Sequence, residues 1–308
     1  MQRQLTRRQF SQGVIAGAGA LLVGHGRSPV LAQSAPSASV IVGVRPGLIP
    51  SPNADTNVDS DTPDTEDIIT VPSTASDLIL EALNLATGQI SPFPGPRIPV
   101  ASDEQVSGCT FVADGSLVVA LTDISPRQHH ARPTRLVILG PSPRTVAVSG
   151  LQKHEGLRSL VGTQDGRLLG LGMKHNGTPP VRVVEVDWHT GQVTKQVNLP
   201  GNQRIQTLAS CPDGTLYTIG VDKDGNTSLL VLNVQHRELR VRVDLQLKGK
   251  RWDNSLESLV CSPAHQLLAF GALRYAYPKA LYSVDASSGA MTQLGVFNTA
   301  KITLLPES

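Results

Sequence analysis

Four residues with side-chain oxygens return along the chain at intervals of 48 to 51 residues: Glu104, Glu155, Gln203 and Asn254. Carboxylate and amide oxygens that converge on one point can bind a hard cation or a polyol. The cofactor that such oxygens would suit is calcium or another divalent metal, with Glu155 and Asn254 as its candidate ligands. No other cofactor is indicated.

Residues typical of recognition surfaces lie close to these oxygens in the sequence. Tyr, Trp and Arg are enriched where proteins bind their partners, and all three types occur here beside histidine and acidic residues. The candidate ligand-binding or partner-binding residues are Glu104, His154, Glu155, Gln203, Arg251, Trp252, Asp253, Asn254, Arg274, Tyr275 and Tyr277.

Sequence patterns of known catalytic sites are missing. The chain contains no nucleophile elbow, no His-Glu-x-x-His zinc motif and no phosphate-cradling loop. His154 and Glu155 are adjacent, but neighbours on an extended segment point apart and do not form an acid–base pair. We therefore assign no catalytic residue.

A motif that returns at a near-constant interval indicates a repeated structural unit. Asp-Gly pairs begin at Asp114, Asp165 and Asp213, and a fourth segment around Ala264 fits the same register. Each lies between short runs of Leu, Val, Ile and Thr, which predicts a β-hairpin with a tight turn.

A second hairpin signal alternates with the first. It reads Asp-x-x-Thr-Gly or a close variant at Asn84, Asp187 and Asp285, with weaker copies near residues 140 and 233. Two hairpins per unit give four antiparallel strands, which is one blade of a propeller. We predict an all-β fold, a β-propeller of five four-stranded blades.

Residues from both ends of the repeat region are expected to build one blade. Strands are predicted near residues 78–93, and residues 301–305 resemble an innermost strand, so this blade is split. A capped helix over residues 76–88 is the alternative for the first segment. The apolar run at residues 38–44 would belong to a sixth blade or supply the missing strand.

The loops that lead into the innermost strands gather on one face of a propeller, around its central channel. Glu104, Glu155, Gln203 and Asn254 lie in these loops, so we expect them to ring the channel mouth. The alternative is that they hydrogen-bond the backbone of the next blade and hold the ring closed.

The first 32 residues resemble a bacterial twin-arginine signal peptide. Arg7, Arg8 and Phe10 match its paired arginines and aromatic residue, and the apolar run at residues 13–23 is too short to span a bilayer. Cleavage is expected after Ala32. The resemblance implies export to the periplasm or a thylakoid lumen, with no transmembrane segment in the mature chain.

Charge and composition complete the domain map. Loss of residues 1–32 removes four arginines and no acid, so 27 basic residues become 23 against 25 acidic ones. That balance argues against nucleic acid as a partner. Residues 33–76, rich in Pro, Ser and Asp, are expected to be a disordered linker rather than a calcium loop. Residues 77–308 are the predicted propeller.

The three cysteines, Cys109, Cys211 and Cys261, all lie on predicted innermost strands. Their spacing matches no zinc, haem or redox motif, and an odd number leaves at least one without an intramolecular partner. We expect them to be buried apolar residues.

Two further resemblances concern function. The turn at residues 187–192 is similar to part of a quinoprotein repeat, but Lys195 stands where that repeat has its docking tryptophan. The segments at residues 154–157 and 165–169 resemble one blade of esterase-like phytase and lactonase propellers, which implies metal binding at the channel mouth.

The sequence therefore favours a monomeric exported propeller that is not an enzyme and binds a partner protein or a small polar ligand on its loop face. The alternative is a metal-dependent hydrolase of a phosphate ester or lactone, acting through Glu155, Asn254 and Asp253.

Overall fold

The computed structural model describes residues 40–47, 76–123, 133–174, 179–201, 203–253, 256–272 and 278–306, and all of them belong to one compact unit. Every regular element within these ranges is a β-strand. The first eight strands are β1 (Val40–Gly47), β2 (Ser76–Asn84), β3 (Ile90–Pro92), β4 (Pro99–Val100), β5 (Glu104–Phe111), β6 (Leu117–Asp123), β7 (Arg135–Leu139) and β8 (Arg144–Ala147).

The remaining strands continue the four-stranded pattern. They are β9 (Glu155–Gly162), β10 (Leu168–Lys174), β11 (Arg182–Asp187), β12 (Gln192–Asn198), β13 (Arg204–Ser210), β14 (Leu216–Val221), β15 (Thr227–Asn233), β16 (Glu238–Asp244), β17 (Gln246–Leu247), β18 (Lys250–Arg251), β19 (Leu256–Cys261), β20 (Leu267–Gly271), β21 (Ala280–Val284), β22 (Ala290–Val296) and β23 (Lys301–Leu304).

These strands form the five sheets of a five-bladed propeller, which confirms the predicted fold. From the channel outwards, blade 1 contains β23, β1, β2 and β3, blade 2 contains β5 to β8, and blade 3 contains β9 to β12. Blade 4 contains β13 to β16, and blade 5 contains β19 to β22. The five innermost strands contact one another in a closed ring in the order β23, β5, β9, β13 and β19.

Blade 1 is the split blade. β23 pairs antiparallel with β1 through Val42↔Thr303 and Gly43↔Ile302, and β1 pairs with β2 on its other side. The apolar run near residue 40 thus supplies the missing strand, and residues 76–84 form a strand rather than a helix. The linker expected over residues 33–76 must be corrected, because Val40–Gly47 lie inside the propeller.

The Asp-Gly turns form as the sequence predicts. Gly115, Gly166 and Gly214 have φ angles of 80–81°, in the left-handed region that glycine adopts without a steric penalty. The fourth turn has no glycine at this position, and His265 takes a φ of 59° instead.

Side-chain hydroxyls hold neighbouring innermost strands together. Ser159 Oγ in blade 3 accepts a hydrogen bond from the Leu208 amide of blade 4 at 2.8 Å. Ser258 Oγ in blade 5 accepts one from the Ile302 amide of blade 1 at 3.2 Å. In these two contacts, serines make the hydrogen bonds that close the ring. The alternative role expected for Glu104, Glu155, Gln203 and Asn254 is thus filled here by residues at other positions.

A disulfide between Cys211 and Cys261 joins the C-terminal ends of the innermost strands of blades 4 and 5, with Cα atoms 5.1 Å apart. The expected role of buried apolar residue must be corrected for this pair, which forms a covalent link between blades, and the expected thiol without an intramolecular partner is Cys109. Cys109 is a free, buried thiol, and burial raises its pKa to about 12. No helix in the described part of the chain has the length and apolarity needed to cross a membrane.

Candidate functional site at the channel mouth

Glu104 is held in an ion pair inside blade 2. Its two carboxylate oxygens each accept a hydrogen bond from the guanidinium of Arg135 at 2.7 Å, and Oε2 also accepts one from the Ala101 amide at 3.0 Å. Arg135 is the first residue of the third strand of the blade. Glu104 therefore braces the innermost strand against the third one.

Glu155 has the same role in blade 3 and is more deeply buried. It forms an ion pair with Arg182, the first residue of the third strand β11, and only 1% and 4% of the two side chains are exposed. The Gln152 amide donates to Glu155 Oε2 at 3.2 Å, and Arg182 also donates to Gln196. The carboxylate of Glu155 is thus neutralised by an arginine rather than open to a metal.

Of the other two members of the expected ring, the structure describes Gln203 but not Asn254. Gln203 is half-buried beside Gly220, and Asn254 lies outside the described residues. The described residues contain no group of three His, Cys, Asp or Glu side chains arranged to hold a metal ion.

Trp252 is a core residue. It is 0% exposed and packs edge-on against Tyr282, with ring centroids 5.2 Å apart. Its Nε1 has no hydrogen-bond partner among the described residues. Trp252 is therefore not presented at the loop face as a binding anchor.

The remaining candidates are spread over the loop face. Arg251 is exposed and pairs with Asp244, whereas His154 and Asp253 are exposed without forming a cluster with the other candidates. Arg274, Tyr275 and Tyr277 lie outside the described residues. The three described candidates, His154, Arg251 and Asp253, are not brought together into one site.

A different set of charged residues meets at the channel axis, beginning with an ion pair between blades 1 and 5. Lys301 Nζ donates to the Glu257 backbone oxygen at 2.6 Å and lies 3.3 Å from Glu257 Oε2. Lys279 Nζ lies 3.6 Å from the other carboxylate oxygen, Oε1. Lys301 is the first residue of β23 and Glu257 the second of β19, so both lie near the loop-face end of the channel.

Arg158, on the innermost strand of blade 3, interacts electrostatically with this pair. Its charge acts on both Glu257 and Lys301, which belong to blades that are not its neighbours. Gln206, one residue before the aligned Thr207 of blade 4, has a buried Oε1 without a hydrogen-bond partner. We call Arg158, Gln206, Glu257, Lys279 and Lys301 the channel-mouth cluster.

From the Lys301–Glu257 pair towards the C-terminal ends of the innermost strands, the channel contains a partly open cavity of about 180 Å³. Residues from all five innermost strands line it, including Cys109, Leu160, Leu208 and Leu259. Lys301 and Glu257 thus form the charged end of a cavity whose other walls are strand backbone, aliphatic side chains and hydroxyl side chains such as Thr110 and Thr303.

Burial and mutual repulsion set the ionisation of the cluster. Burial lowers the pKa of Lys301, the nearby Glu257 opposes this effect, and the charges of Arg158 and Lys279 add to it. Burial also lowers the pKa of Arg158. For Glu257 burial acts to raise the pKa, but Lys301 and Lys279 outweigh it, so its pKa is lowered. The cations are therefore held in an environment that is short of negative charge.

The repeat itself contains the signal that would have identified this cluster. Arg158, Gln206 and Glu257 each directly precede the aligned Ser159, Thr207 and Ser258, whereas the chosen candidates Glu155, Gln203 and Asn254 lie three residues further towards the N-terminus. Successive strand residues alternate between faces, so a shift of three positions selects the opposite face.

No family model and no curated protein matches the chain. Solved structures share the fold at low identity. A protein of unknown function from Bacteroides caccae matches 88% of this chain and 100% of its own, with 11% identity and a TM-score of 0.45.

Two other neighbours carry functional names. The periplasmic gluconolactonase of Pseudomonas aeruginosa matches 88% of this chain and 86% of its own, with 13% identity and a TM-score of 0.44. The calcium-binding protein regucalcin of Agrobacterium tumefaciens matches 70% and 68%, with 15% identity and a TM-score of 0.40. At these levels the likeness does not assign an activity to this chain.

Proposed function

We propose that this chain is an exported, non-enzymatic β-propeller that binds a small polar ligand at the mouth of its central channel. The observation that carries the proposal is the ion pair of Lys301 from blade 1 with Glu257 from blade 5 at one end of a partly open cavity, with the charge of Arg158 from blade 3 acting on both residues. Ligand sites are concave and combine apolar walls with a few converging polar groups. A concave site favours a small ligand over a partner protein.

Export through the twin-arginine route is part of the proposal and rests on the sequence of residues 6–23. Replacing Arg7 and Arg8 together by lysine should leave an unprocessed precursor in the cytoplasm. Normal processing of that variant would contradict the assignment.

The hydrolase alternative has less support from the described residues. It needs Glu155 as a metal ligand, but Glu155 is buried against Arg182. Its second acid, Asp253, is exposed on the loop face. Hydrolysis of a lactone or phosphate monoester by purified protein supplied with calcium, and lost in Asp253→Asn, would favour the enzyme instead.

Ligand binding can be tested with a double variant that leaves the net charge unchanged. Glu257→Gln with Lys301→Met removes one negative and one positive charge from the channel. The matched control is Glu238→Gln with Arg240→Met, which removes the exposed ion pair of β16, whose side chains are 42% and 75% exposed.

Thermal shift with neutral sugars, polyols, amino acids and small organic acids supplies the measurement. We expect at least one compound to raise the unfolding temperature of the parent protein and of the control but not of the channel variant. A compound that stabilises all three proteins equally would place the binding site elsewhere.

A further inference from the structure

The charges at the channel mouth do not balance. Arg158, Lys279 and Lys301 place three positive charges around Glu257, which brings one negative charge. The nearby acids Glu104 and Glu155 are already paired with Arg135 and Arg182. Among the described residues, two positive charges of the cluster therefore remain without a counter-charge.

The carboxylate of Glu257 is fully used by the two lysines. Oε2 lies 3.3 Å from Lys301 Nζ, and Oε1 lies 3.6 Å from Lys279 Nζ. The guanidinium of Arg158 has no ion pair or hydrogen bond within the described part of the chain, and it interacts with Glu257 only at longer range. Arg158 is thus a half-buried arginine with its donors available inside the channel mouth.

Buried positive charge without a counter-charge is unfavourable, and a bound anion relieves it. A charge loses its hydration on burial and regains that free energy only through ion pairs and hydrogen bonds. Lys301 is only 14% exposed, so water compensates for little of its charge. Arginine binds carboxylate, sulfate and phosphate through paired N–H groups, and lysine adds a point charge.

The geometry points to a small anion, of the carboxylate, sulfate or phosphate class, as the ligand of the channel mouth, bound between Arg158 and Lys301. This inference rests on the proposed function and names the chemical class of the ligand. Lys301 borders the cavity of about 180 Å³, which is smaller than the roughly 300–1,000 Å³ typical of larger organic ligands. An anion that reaches from Lys301 into this cavity is therefore compact.

The test compares anions with neutral compounds at constant ionic strength. Sodium phosphate, sodium sulfate and sodium succinate are titrated into the parent protein, with glucose and glycerol as neutral probes, by calorimetry and thermal shift. We expect saturable binding of at least one anion, about tenfold or more weaker in Arg158→Met because one charge-assisted hydrogen-bond partner is lost. The matched control is Arg167→Met, an exposed arginine on the Asp-Gly face.

Glu257→Gln gives a second measurement with the opposite sign. It removes the carboxylate that competes for the lysines, so anion binding should become several-fold tighter. If that variant fails to fold, the comparison of Arg158→Met with Arg167→Met still decides the question.

The possible outcomes separate the two proposals. Equal anion affinity in Arg158→Met and Arg167→Met overturns the inference. Binding of glucose or glycerol alone, lost in the channel double variant, keeps the proposed function and overturns the anion. Binding of no compound by the parent protein overturns both.

Discussion

At the scale of single residues, the same residue type has two different roles that only its partner distinguishes. Glu104 and Glu155 begin innermost strands and are paired with arginines of the third strand. Glu257 lies near the start of another innermost strand, but its partners are lysines from blades 1 and 5. The first two stabilise a blade, and the third belongs to a site between blades.

Glu155→Gln should destabilise the fold by about 3 kcal/mol, because it leaves Arg182 buried without a counter-charge. Glu104→Gln should cost less, on the order of 1 kcal/mol, since Arg135 is 23% exposed and water partly replaces the lost charge. Urea denaturation of both variants gives the comparison.

The exposed pair of Asp165 and Arg167 is the control, and Asp165→Asn should change the free energy of unfolding by less than about 0.5 kcal/mol. Equal losses in Glu155→Gln and Asp165→Asn would show that the buried pair does not stabilise blade 3.

At the scale of elements, the outer hairpin turn has the same hydrogen-bond pattern at three places in the described part of the chain. In each copy an Asp or Asn side chain accepts a hydrogen bond from the amide two residues later, at 2.8–2.9 Å. Its backbone oxygen accepts one from the glycine four residues later, at 2.7–2.8 Å. The copies begin at Asn84, Asp187 and Asp285, and their glycines have φ angles of 70–78°.

These turns predict a loss of stability in acid. Hydrogen bonds from Ser287 and Ser288 lower the pKa of Asp285 to about 2, from an ordinary value of 3.8. Because the folded pKa lies below the unfolded one, this contribution is complete above about pH 5 and disappears as the pH falls through 3.8 towards 2. Between pH 5 and pH 2.5, the unfolding temperature of Asp285→Asn should therefore fall less than that of the parent protein.

Asp224→Asn is the matched control, because the Asp224 carboxylate accepts no hydrogen bond from the described residues. It should show the same pH dependence as the parent protein. A parallel curve for Asp285→Asn would mean that this turn does not contribute to acid sensitivity.

The turns also explain why the fold could be predicted from the sequence and the site could not. A turn depends on four or five neighbouring residues, so Asp165-Gly166 and Asp187 to Gly191 reveal their hairpins locally. The partners of Glu155 and Glu257 come from other strands, 27 and 44 residues away in the cases of Arg182 and Lys301. No pattern among neighbouring residues in the sequence predicts such an ion pair.

At the scale of the whole molecule, the ring is closed in two ways. Blade 1 joins the two ends of the chain through the pairing of β1 with β23, and the Cys211–Cys261 disulfide joins blades 4 and 5. Lys301 lies on the closing strand itself, so the proposed ligand site is complete only when the ring is closed.

Deletion of residues 301–306 should therefore destabilise the whole propeller. It exposes the edge of β1 at Ile41–Val44 and removes Ile302, which is 2% exposed in the core. Each buried aliphatic side chain contributes roughly 1.5–3 kcal/mol, against a typical total of about 5–15 kcal/mol for a domain. Thermal unfolding and soluble yield measure the effect.

Ile302→Ala provides the graded comparison, with an expected loss of about 2–5 kcal/mol. The unfolding temperature of this variant should lie between those of the parent protein and the deletion variant. A deletion variant with an unchanged unfolding temperature would show that the ring is stable without β23.

The pairing of β1 with β23 also has a consequence for synthesis. A ribosome makes β1 roughly 260 residues before the strand that pairs with its inner edge. Throughout that interval β1 has a free edge that can pair with other chains. A message that ends anywhere before codon 301 encodes a chain without β23, and the ring of innermost strands cannot close in that chain. Blade 1 is therefore complete only in chains that are translated beyond this strand.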